Sequence, residues 1–243
     1  MSRNKKIKGD ILRKHYGNDF IRKFAIKKLF SFEDNSKKNK NLEEQIAFTK
    51  LAVDKILQND VCEICDVMVD ENSKPDILAS NIPQFSDFED GTKRLCEIIV
   101  NSGNTGLTYI EMGKYLLGLG KSDQAYQKYG ENHSKLGCFL GLVNIKKISR
   151  VSKIYISPLG LVFNDLKDEK KDLLLKQLSF RIPVINKILS DSRKRETDIF
   201  SNVSSELAKS TAERRIPNIR FILNYIHENV PNEKDCFSRI EMK

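Results

Sequence analysis

The sequence of 243 residues predicts a mainly α protein with one small β-hairpin. Apolar residues recur three to four positions apart through most of the chain, which is typical of amphipathic helices. Only residues 143–156 have the pattern of two short strands, and these flank a basic turn. Eight of the twelve glycines lie between Gly103 and Gly141, where closely crossing helices and tight turns need them. With 40% hydrophobic residues, the chain can bury a core.

The charge is basic overall but unevenly distributed. The net charge is +9. Residues 1–40 hold 13 Lys and Arg against 4 Asp and Glu, residues 41–90 hold 3 against 12, and the remainder holds 26 against 17. Two basic regions therefore flank an acidic one, and we expect the basic regions to face phosphates. A lysine-rich solvated surface is the alternative explanation.

The first part of the chain predicts helices on both sides of a polar linker. Residues 5–32 favour one or two short amphipathic helices, and residues 34–41 form the linker. A clear helix follows from Leu42 and ends near Asn59. Residues 70–88 are rich in Asp, Asn, Ser and Pro, which favours a domain boundary. We therefore divide the chain into a basic arm with a helical N-terminal region (1–85), a middle domain (86–168) and a helical C-terminal region (169–243).

The middle domain predicts three helices, a hairpin and a further helix. The first helix covers about 88–100. Thr108 and Glu111 have capping-box spacing and open a second helix that runs to about Leu117. A third helix has its apolar face around 136–142. Two strands over 143–156 and a helix after the SPLG segment complete the set.

This order of elements is that of a winged helix-turn-helix domain. The segments KYGENHSKLGCFLGLV and KIYISPLG resemble the recognition helix and the wing-closing strand of bacterial winged-helix modules. The chain is also similar to the DNA-recognition parts of type II restriction endonucleases. The basic segment MSRNKKIKGDILRK lacks the continuous apolar core of a signal peptide, so we expect a cytoplasmic protein. The resemblance implies double-stranded DNA as the partner, without a cofactor. It also implies a nuclease or methyltransferase subunit as a possible second partner.

The C-terminal region predicts further helices. Pro183 should break the first of them in two. The segment KSTAERRIPNIRFILNYIHE resembles the recognition helix that follows a winged-helix module in restriction-associated proteins. We expect Ser210 or Thr211 to cap it and Pro217 to lie in its first turn, where proline costs little. Its buried side should consist of Ile216, Ile219, Ile222 and Ile226. The chain would then contain a second helix-turn-helix-like unit.

Candidate DNA contacts are polar and cationic side chains on these elements. Asn pairs well with adenine, and Lys or Arg pairs with guanine or phosphate. We expect Asn132, His133 and Lys135 to lie at the N-terminal end of the recognition helix. The candidates in the first unit are Lys121, Lys128, Tyr129, Asn132, His133, Ser134 and Lys135. The wing contributes Lys146, Lys147, Arg150 and Lys153. The second unit contributes Lys209, Ser210, Thr211, Arg214, Arg215 and Arg220.

Other functions remain as alternatives. A Mg²⁺-dependent type II restriction nuclease needs clustered carboxylates beside a lysine, and only Asp76 with Asp165 and Lys167 imitates that pattern. Cys62 and Cys65 form a lone C-x-x-C, which we interpret as core-facing or partly exposed thiols rather than a zinc site. No stretch is apolar enough for a membrane span. A transcriptional regulator and a protein-interaction winged helix also remain open, because no catalytic motif decides between them.

Overall fold

The computed structural model describes residues 41–69, 77–204, 207–228, 230, 237 and 239–241. The predicted helices of the basic arm, most of the polar linker and Asp76 lie outside these residues. The described part of the chain is mainly helical, as the sequence predicts. It has a small three-stranded antiparallel sheet, in which two strands are the predicted pair over 143–156 and the third was not predicted. Within this part, no helix has the length and apolar character needed to cross a bilayer.

Two helices precede the middle region. Helix α1 spans Leu42–Ile56 and begins at Asn41, whose side chain accepts a hydrogen bond from the Glu44 amide. Helix α2 spans Val61–Met68 and is opened by a capping box between Asp60 and Glu63. A short 3₁₀ turn, Ala79–Asn81, comes next.

The middle region alternates helices with the strands of the small sheet. Its elements are α3 (Glu89–Asn101), β1 (Leu107–Thr108), α4 (Tyr109–Leu117), α5 (Asp123–Phe139), β2 (Val143–Ile148), β3 (Val151–Ile156) and α6 (Pro158–Asn164). Strand β3 lies in the centre and pairs antiparallel with both β1 and β2. The strand order is therefore β1-β3-β2.

The C-terminal region contains four more helices and a pair of very short strands. Its elements are α7 (Asp168–Leu178), a 3₁₀ turn (Ser179–Arg181), α8 (Pro183–Ser192), β4 (Thr197–Asp198), α9 (Ile199–Ser204), α10 (Lys209–His227) and β5 (Ile240–Glu241). Strands β4 and β5 pair in parallel. Pro183 begins α8, which confirms the predicted break.

The three predicted regions share one connected apolar core, which includes Val53, Leu136 and Ile222. Helix α1 packs on α6, and the buried Gln177 side chain donates hydrogen bonds to the carbonyls of Ile56 and Asn59. Residues 77–88, within the predicted boundary segment, contribute buried side chains to this core. The three-part division remains a prediction.

Two helix boundaries differ from the expectations. The predicted third helix is the end of one 17-residue helix, α5, because Gly130 lies inside the helix rather than ending it. Helix α10 begins after Ala208 without a side-chain cap, so the prediction that Ser210 or Thr211 caps it is wrong. Pro217 accordingly lies inside α10 and not in its first turn.

Candidate nucleic-acid interface

A closely packed pair of helices, α4 and α5, supports the candidate interface. The Thr108 hydroxyl accepts a hydrogen bond from the Glu111 amide, and the Glu111 carboxylate accepts one from the Thr108 amide, which confirms the predicted capping box. The Thr108 amide and hydroxyl both donate to the Glu111 carboxylate and hold the pKa of Glu111 below its usual range. A Cβ at Gly113 would collide with the Tyr126 carbonyl, and a Cβ at Gly130 with the Tyr109 carbonyl. The two helices can therefore cross only because both positions are glycine.

The turn between α4 and α5 is fixed by one tyrosine. The Tyr126 hydroxyl donates to the Gly118 carbonyl and accepts from the Lys121 amide, both at 2.9 Å. Ser122 then caps α5 by accepting from the Ala125 amide. Because these hydrogen bonds hold the connection between α4 and α5 at both ends, they fix the direction in which α5 begins. The Lys121 side chain is exposed on this turn.

The outward face of α5 is polar. Its members recur at helical spacing and are exposed or half-buried: Gln124, Gln127, Lys128, Glu131, Asn132 and Lys135. We call this set the α5 face. Lys135 forms an ion pair with Glu131 at 2.6 Å, whereas Lys128 and Asn132 have no hydrogen-bond or ion-pair partner among the described residues. The face therefore presents amides and a cation that are available to a ligand.

Two predicted contacts on α5 lie on its opposite, buried side. His133 is 1% exposed and Ser134 is fully buried, where its hydroxyl donates to the Gly130 carbonyl. DNA outside the protein cannot reach either side chain, so the expectation that they contact it is wrong. They lie inward because they share a stripe with Leu136 and Leu140 on the core side of the long helix.

The surroundings of His133 keep it neutral. Its ring packs against that of Tyr129, with the centroids 4.5 Å apart and the planes tilted by 33°. Neither ring nitrogen has a hydrogen-bond partner among the described residues. Burial lowers the pKa of His133 to about 4; the carboxylate of Asp87 opposes this shift and the charge of Arg94 adds to it. Tyr129 is half-buried, and its hydroxyl accepts a hydrogen bond from Ser86 at 2.7 Å. Tyr129 therefore anchors α5 as well as bordering its surface.

The position of the predicted contacts along α5 also needs correction. The helix begins at Asp123, so Asn132 and Lys135 lie in its C-terminal half and not at its N-terminal end. The residues near its start are Gln124, Gln127 and Lys128. The two glutamines were missed because the predicted recognition helix was placed on the segment KYGENHSKLGCFLGLV, which begins only at Lys128. The Ser122 cap was the available sequence signal.

The β2–β3 hairpin carries the predicted wing cations. Lys146, Lys147 and Arg150 are exposed, and Lys153 is half-buried. The hairpin turns through only two residues, Ser149 and Arg150, both with positive φ (48° and 69°), so the strands are longer than predicted and the basic turn is shorter. Lys146 and Lys153 are direct cross-strand partners, and like charges placed opposite each other favour an anion between or near them.

Helix α10 presents its predicted contacts unequally. Lys209, Ser210 and Arg214 are exposed, and Thr211 is half-buried. Arg220 is half-buried, with its Nε buried and without a partner among the described residues.

Two side chains of α10 are tied to the 82–84 segment. Arg215 donates from Nη1 to the Ile82 carbonyl at 3.1 Å, and Asn218 donates to the Pro83 carbonyl at 3.1 Å. With the Gln84 amide turned so that its oxygen faces the guanidinium, that oxygen accepts from Nη1 and Nε of Arg215 at 3.0 and 3.2 Å. Arg215 therefore has a structural role in addition to any contact with DNA.

A cleft of about 210 Å³ brings the two predicted contact sets together. Lys128, Asn132 and Lys135 line one side, and Arg215 lines another, with the 79–84 segment between them. We call this space the α5–α10 cleft. The sequence predicts α5 and α10 as parts of separate DNA-binding units. The structure places polar side chains of both helices around one cleft.

The residues of the alternative functions are only partly described. Asp165 and Lys167 lie in the connection between α6 and α7 and not on a strand. In the described ranges, no group of three or more His, Cys, Asp or Glu is arranged to hold a metal ion. Cys62 and Cys65 are buried in α2, so of the two alternatives, core-facing and partly exposed thiols, the structure has the first.

Comparisons with protein-family models, curated proteins and solved structures found no match to this chain. The chemistry of its own residues is therefore the basis for any function.

Proposed function

We propose that this protein is a sequence-specific double-stranded DNA-binding protein that works as a winged helix-turn-helix. One observation carries the proposal: the order α3-β1-α4-α5-β2-β3, with β3 in the middle of the sheet, leaves a polar helix face and a basic hairpin exposed in one unit. A helix of this kind fits the major groove, and a hairpin with three exposed cations fits the backbone beside it.

The α5 face supplies side chains that distinguish bases. Glutamine and asparagine amides donate and accept at the same time, so they pair with the edge of adenine, and lysine pairs with guanine. Gln124, Gln127 and Lys128 lie in the first two turns of α5, behind a fixed cap. We assign base reading to the two glutamines. Tyr129 is excluded from this group because its hydroxyl is engaged by Ser86.

The hairpin supplies affinity that does not depend on sequence. Lys147 and Arg150 have no ion-pair partner in the described part of the chain, and Lys146 lies 5.3 Å from the centre of the Tyr155 ring. Each cation that neutralises a phosphate releases condensed counterions, so binding weakens steeply with salt. Lys209 and Arg214, both exposed on α10, are further phosphate contacts in this proposal.

The biological role follows from the sequence resemblance alone. We propose that the protein recognises DNA in the cytoplasm for a bacterial restriction-modification system, with a nuclease or methyltransferase subunit as partner. A transcriptional regulator would use the same surface. Binding experiments identify the DNA site, and a pull-down against the candidate subunits separates the two roles.

The test is selection of bound sequences from a randomised duplex library at two salt concentrations, with Mg²⁺ or with EDTA. We expect an enriched motif and a steep salt dependence. Cut ends that appear only with Mg²⁺ would make the protein a nuclease. Failure to bind at low salt would overturn the proposal and favour a protein-interaction module.

Three double variants, one of them a control, locate the surface. Lys147→Gln with Arg150→Gln should reduce the slope of log affinity against log salt by about 2, since each lost phosphate contact removes about 0.9. The control is Lys50→Gln with Lys55→Gln, which removes the same charge from exposed positions on α1. Equal losses in both would show that only the net charge matters. Gln124→Ala with Gln127→Ala should change the enriched motif and leave the salt slope unchanged.

A further inference from the structure

The α5–α10 cleft contains a cation that no carboxylate balances. Arg215 is half-buried, and no Asp or Glu pairs with it among the described residues. Burial, together with the nearby charge of Arg214, lowers the pKa of Arg215. A guanidinium that has lost part of its hydration gains more from an anion than one in open water.

The guanidinium is also fixed in position. Its Nη1 and Nε are occupied by the Ile82 carbonyl and by the Gln84 amide oxygen, so the planar group cannot rotate freely. The remaining nitrogen, Nη2, has no hydrogen bond within the described residues and belongs to a side chain that lines the cleft. The fold therefore already orders this arginine. A ligand that binds to it does not have to offset the loss of conformational entropy of the side chain.

The opposite wall supplies donors of the same kind. Lys128 and Asn132 lie one helical turn apart on α5, and neither has a partner in the described part of the chain. Lys135 also lines the cleft, but Glu131 neutralises it at 2.6 Å, and Glu131 itself lies in the wall. Two cations without a paired carboxylate thus remain in the wall of the cleft, Lys128 and Arg215. The side-chain amide of Asn132 is the neutral donor beside them.

We propose that the α5–α10 cleft is a phosphate-binding site in which Arg215, Lys128 and Asn132 donate to one phosphate group. A cleft of about 210 Å³ is below the usual size of a pocket for a whole drug-sized ligand and suits a small anionic group. The phosphate is either one of the DNA backbone or a free phosphate. In the first case the site joins α10 to the DNA-binding surface of α5, and this part of the inference rests on the proposed function.

The first experiment titrates the protein with inorganic phosphate at constant ionic strength, with chloride as the replaced ion. NMR follows the side-chain amide of Asn132 and the Nε–H of Arg215. We expect saturable shifts at both groups. Lys128→Gln should weaken phosphate binding about tenfold, since a charge-assisted contact is lost. Lys170→Gln, which removes an exposed charge from α7, should leave it unchanged.

Lys128 is the residue to substitute because it is exposed and holds no structural contact, whereas Arg215→Gln would also detach the 82–84 segment. Absence of saturable shifts, or equal affinity in Lys128→Gln and Lys170→Gln, would overturn the phosphate site. This result does not depend on whether the protein binds DNA.

The second experiment distinguishes the two sources of phosphate. Single neutral methylphosphonates are placed along the selected duplex, and affinity is measured for the wild type and for Lys128→Gln. For a backbone phosphate, one position weakens the wild type about tenfold and has no further effect on the variant. If inorganic phosphate binds but no position shows this coupling, the ligand is a free phosphate. If phosphate binds and DNA does not, the cleft stands and the proposed function fails.

Discussion

Two parts of this molecule repeat one local order and build different surfaces from it. In the middle region a two-residue strand, β1, leads into α4 and then α5; in the C-terminal region β4 leads into α9 and then α10. Each strand ends in a residue that caps the following helix, Thr108 in one case and Asp198 in the other. The same local chemistry therefore begins both units.

The units differ in how their first strand is paired. Strand β1 pairs antiparallel with a full hairpin, whereas β4 pairs in parallel with the two residues of β5. The long helices differ as well. The α5 face carries side chains without partners, but the arginine at 215 and the asparagine at 218 hold backbone carbonyls of the 82–84 segment. An arginine on a helix therefore indicates a binding surface only when its guanidinium does not already donate hydrogen bonds within the protein.

The buried sides of the two helices show a second difference. Helix α10 buries a stripe of isoleucines, including Ile219, Ile222 and Ile226, as the sequence predicts. Helix α5 buries two glycines, a serine and a neutral histidine. The packing of α10 depends mainly on the apolar area that it buries, whereas the packing of α5 depends on the close approach of two helix backbones. Substitutions should therefore affect the two helices by different mechanisms.

The largest effect is expected where α4 and α5 cross. Gly113→Ala should lower the free energy of unfolding by about 3 kcal/mol or more, because the new methyl group meets a backbone carbonyl that cannot rotate away. Urea unfolding followed by circular dichroism measures this. The control is Gln127→Ala on the exposed face of α5, which should change stability by no more than about 0.5 kcal/mol. Equal stability of the two variants would show that the crossing relaxes easily.

The next effect is a pH dependence that belongs to α5 and not to α10. The folded state holds the pKa of His133 at about 4, below the value of 6.5 in an unfolded chain. The unfolded chain therefore binds a proton first as the pH falls, and stability decreases from about pH 6.5 down to about pH 4. The loss over this range should be about 2–3 kcal/mol.

His133→Leu should remove that pH dependence while keeping stability at pH 7.5 within about 1 kcal/mol of the wild type. The imidazole nitrogens have no partners in the described part of the chain, so an apolar side chain of similar volume loses no hydrogen bond. Urea midpoints at a series of pH values test this. An unchanged slope between pH 6.5 and 4 in the variant would assign the acid sensitivity to carboxylates elsewhere.

A smaller effect distinguishes two adjacent arginines of α10. Arg215→Ala should destabilise the protein by about 1–2 kcal/mol, because the Ile82 carbonyl and the Gln84 amide lose their donor. Arg214→Ala, at an exposed position one residue earlier, should change stability by less than about 0.5 kcal/mol. Thermal unfolding compares the two. If both variants unfold like the wild type, the contacts of Arg215 add nothing to stability.

The sequence predicted those features that depend on neighbouring residues. The Thr108–Glu111 capping box, the break at Pro183 and the isoleucine stripe of α10 are all local patterns, and the structure confirms them. The length of α5 was missed because the predicted third helix was centred on the apolar residues 136–142. Gly130 lies inside α5, where a glycine lets another helix approach. The backbone that approaches it is that of Tyr109, about twenty residues away in the chain.

The α5–α10 cleft could not be predicted for the same kind of reason. It joins Gln84, Lys128 and Arg215, which are distant in the sequence, and no periodicity links them. The burial of His133 was accessible in principle, since it lies three residues before Leu136 on one helical stripe. It became evident only once the helix was known to begin at Asp123.

The smallest predicted effect tests whether the two caps are equivalent. Asp198 accepts hydrogen bonds from the amides of Phe200 and Ser201 and from the Ser201 hydroxyl, and these bonds hold the pKa of Asp198 below its usual range. Asp198→Ala and Thr108→Ala should each cost about 1 kcal/mol at neutral pH, as is typical of a lost cap. Folding lowers the pKa of Asp198. The carboxylate therefore contributes fully to the free energy of unfolding above the pKa that it has in the unfolded chain, and this contribution is lost as the pH falls through its pKa in the folded state. The cost of Asp198→Ala should therefore shrink in acid. The cost of Thr108→Ala should shrink only by the part that comes from the hydrogen bond of its hydroxyl to the Glu111 carboxylate. Urea unfolding of both variants at neutral and acidic pH makes the comparison, and an Asp198→Ala cost that stays constant in acid would show that the neutral acid caps α9 as well as the carboxylate does.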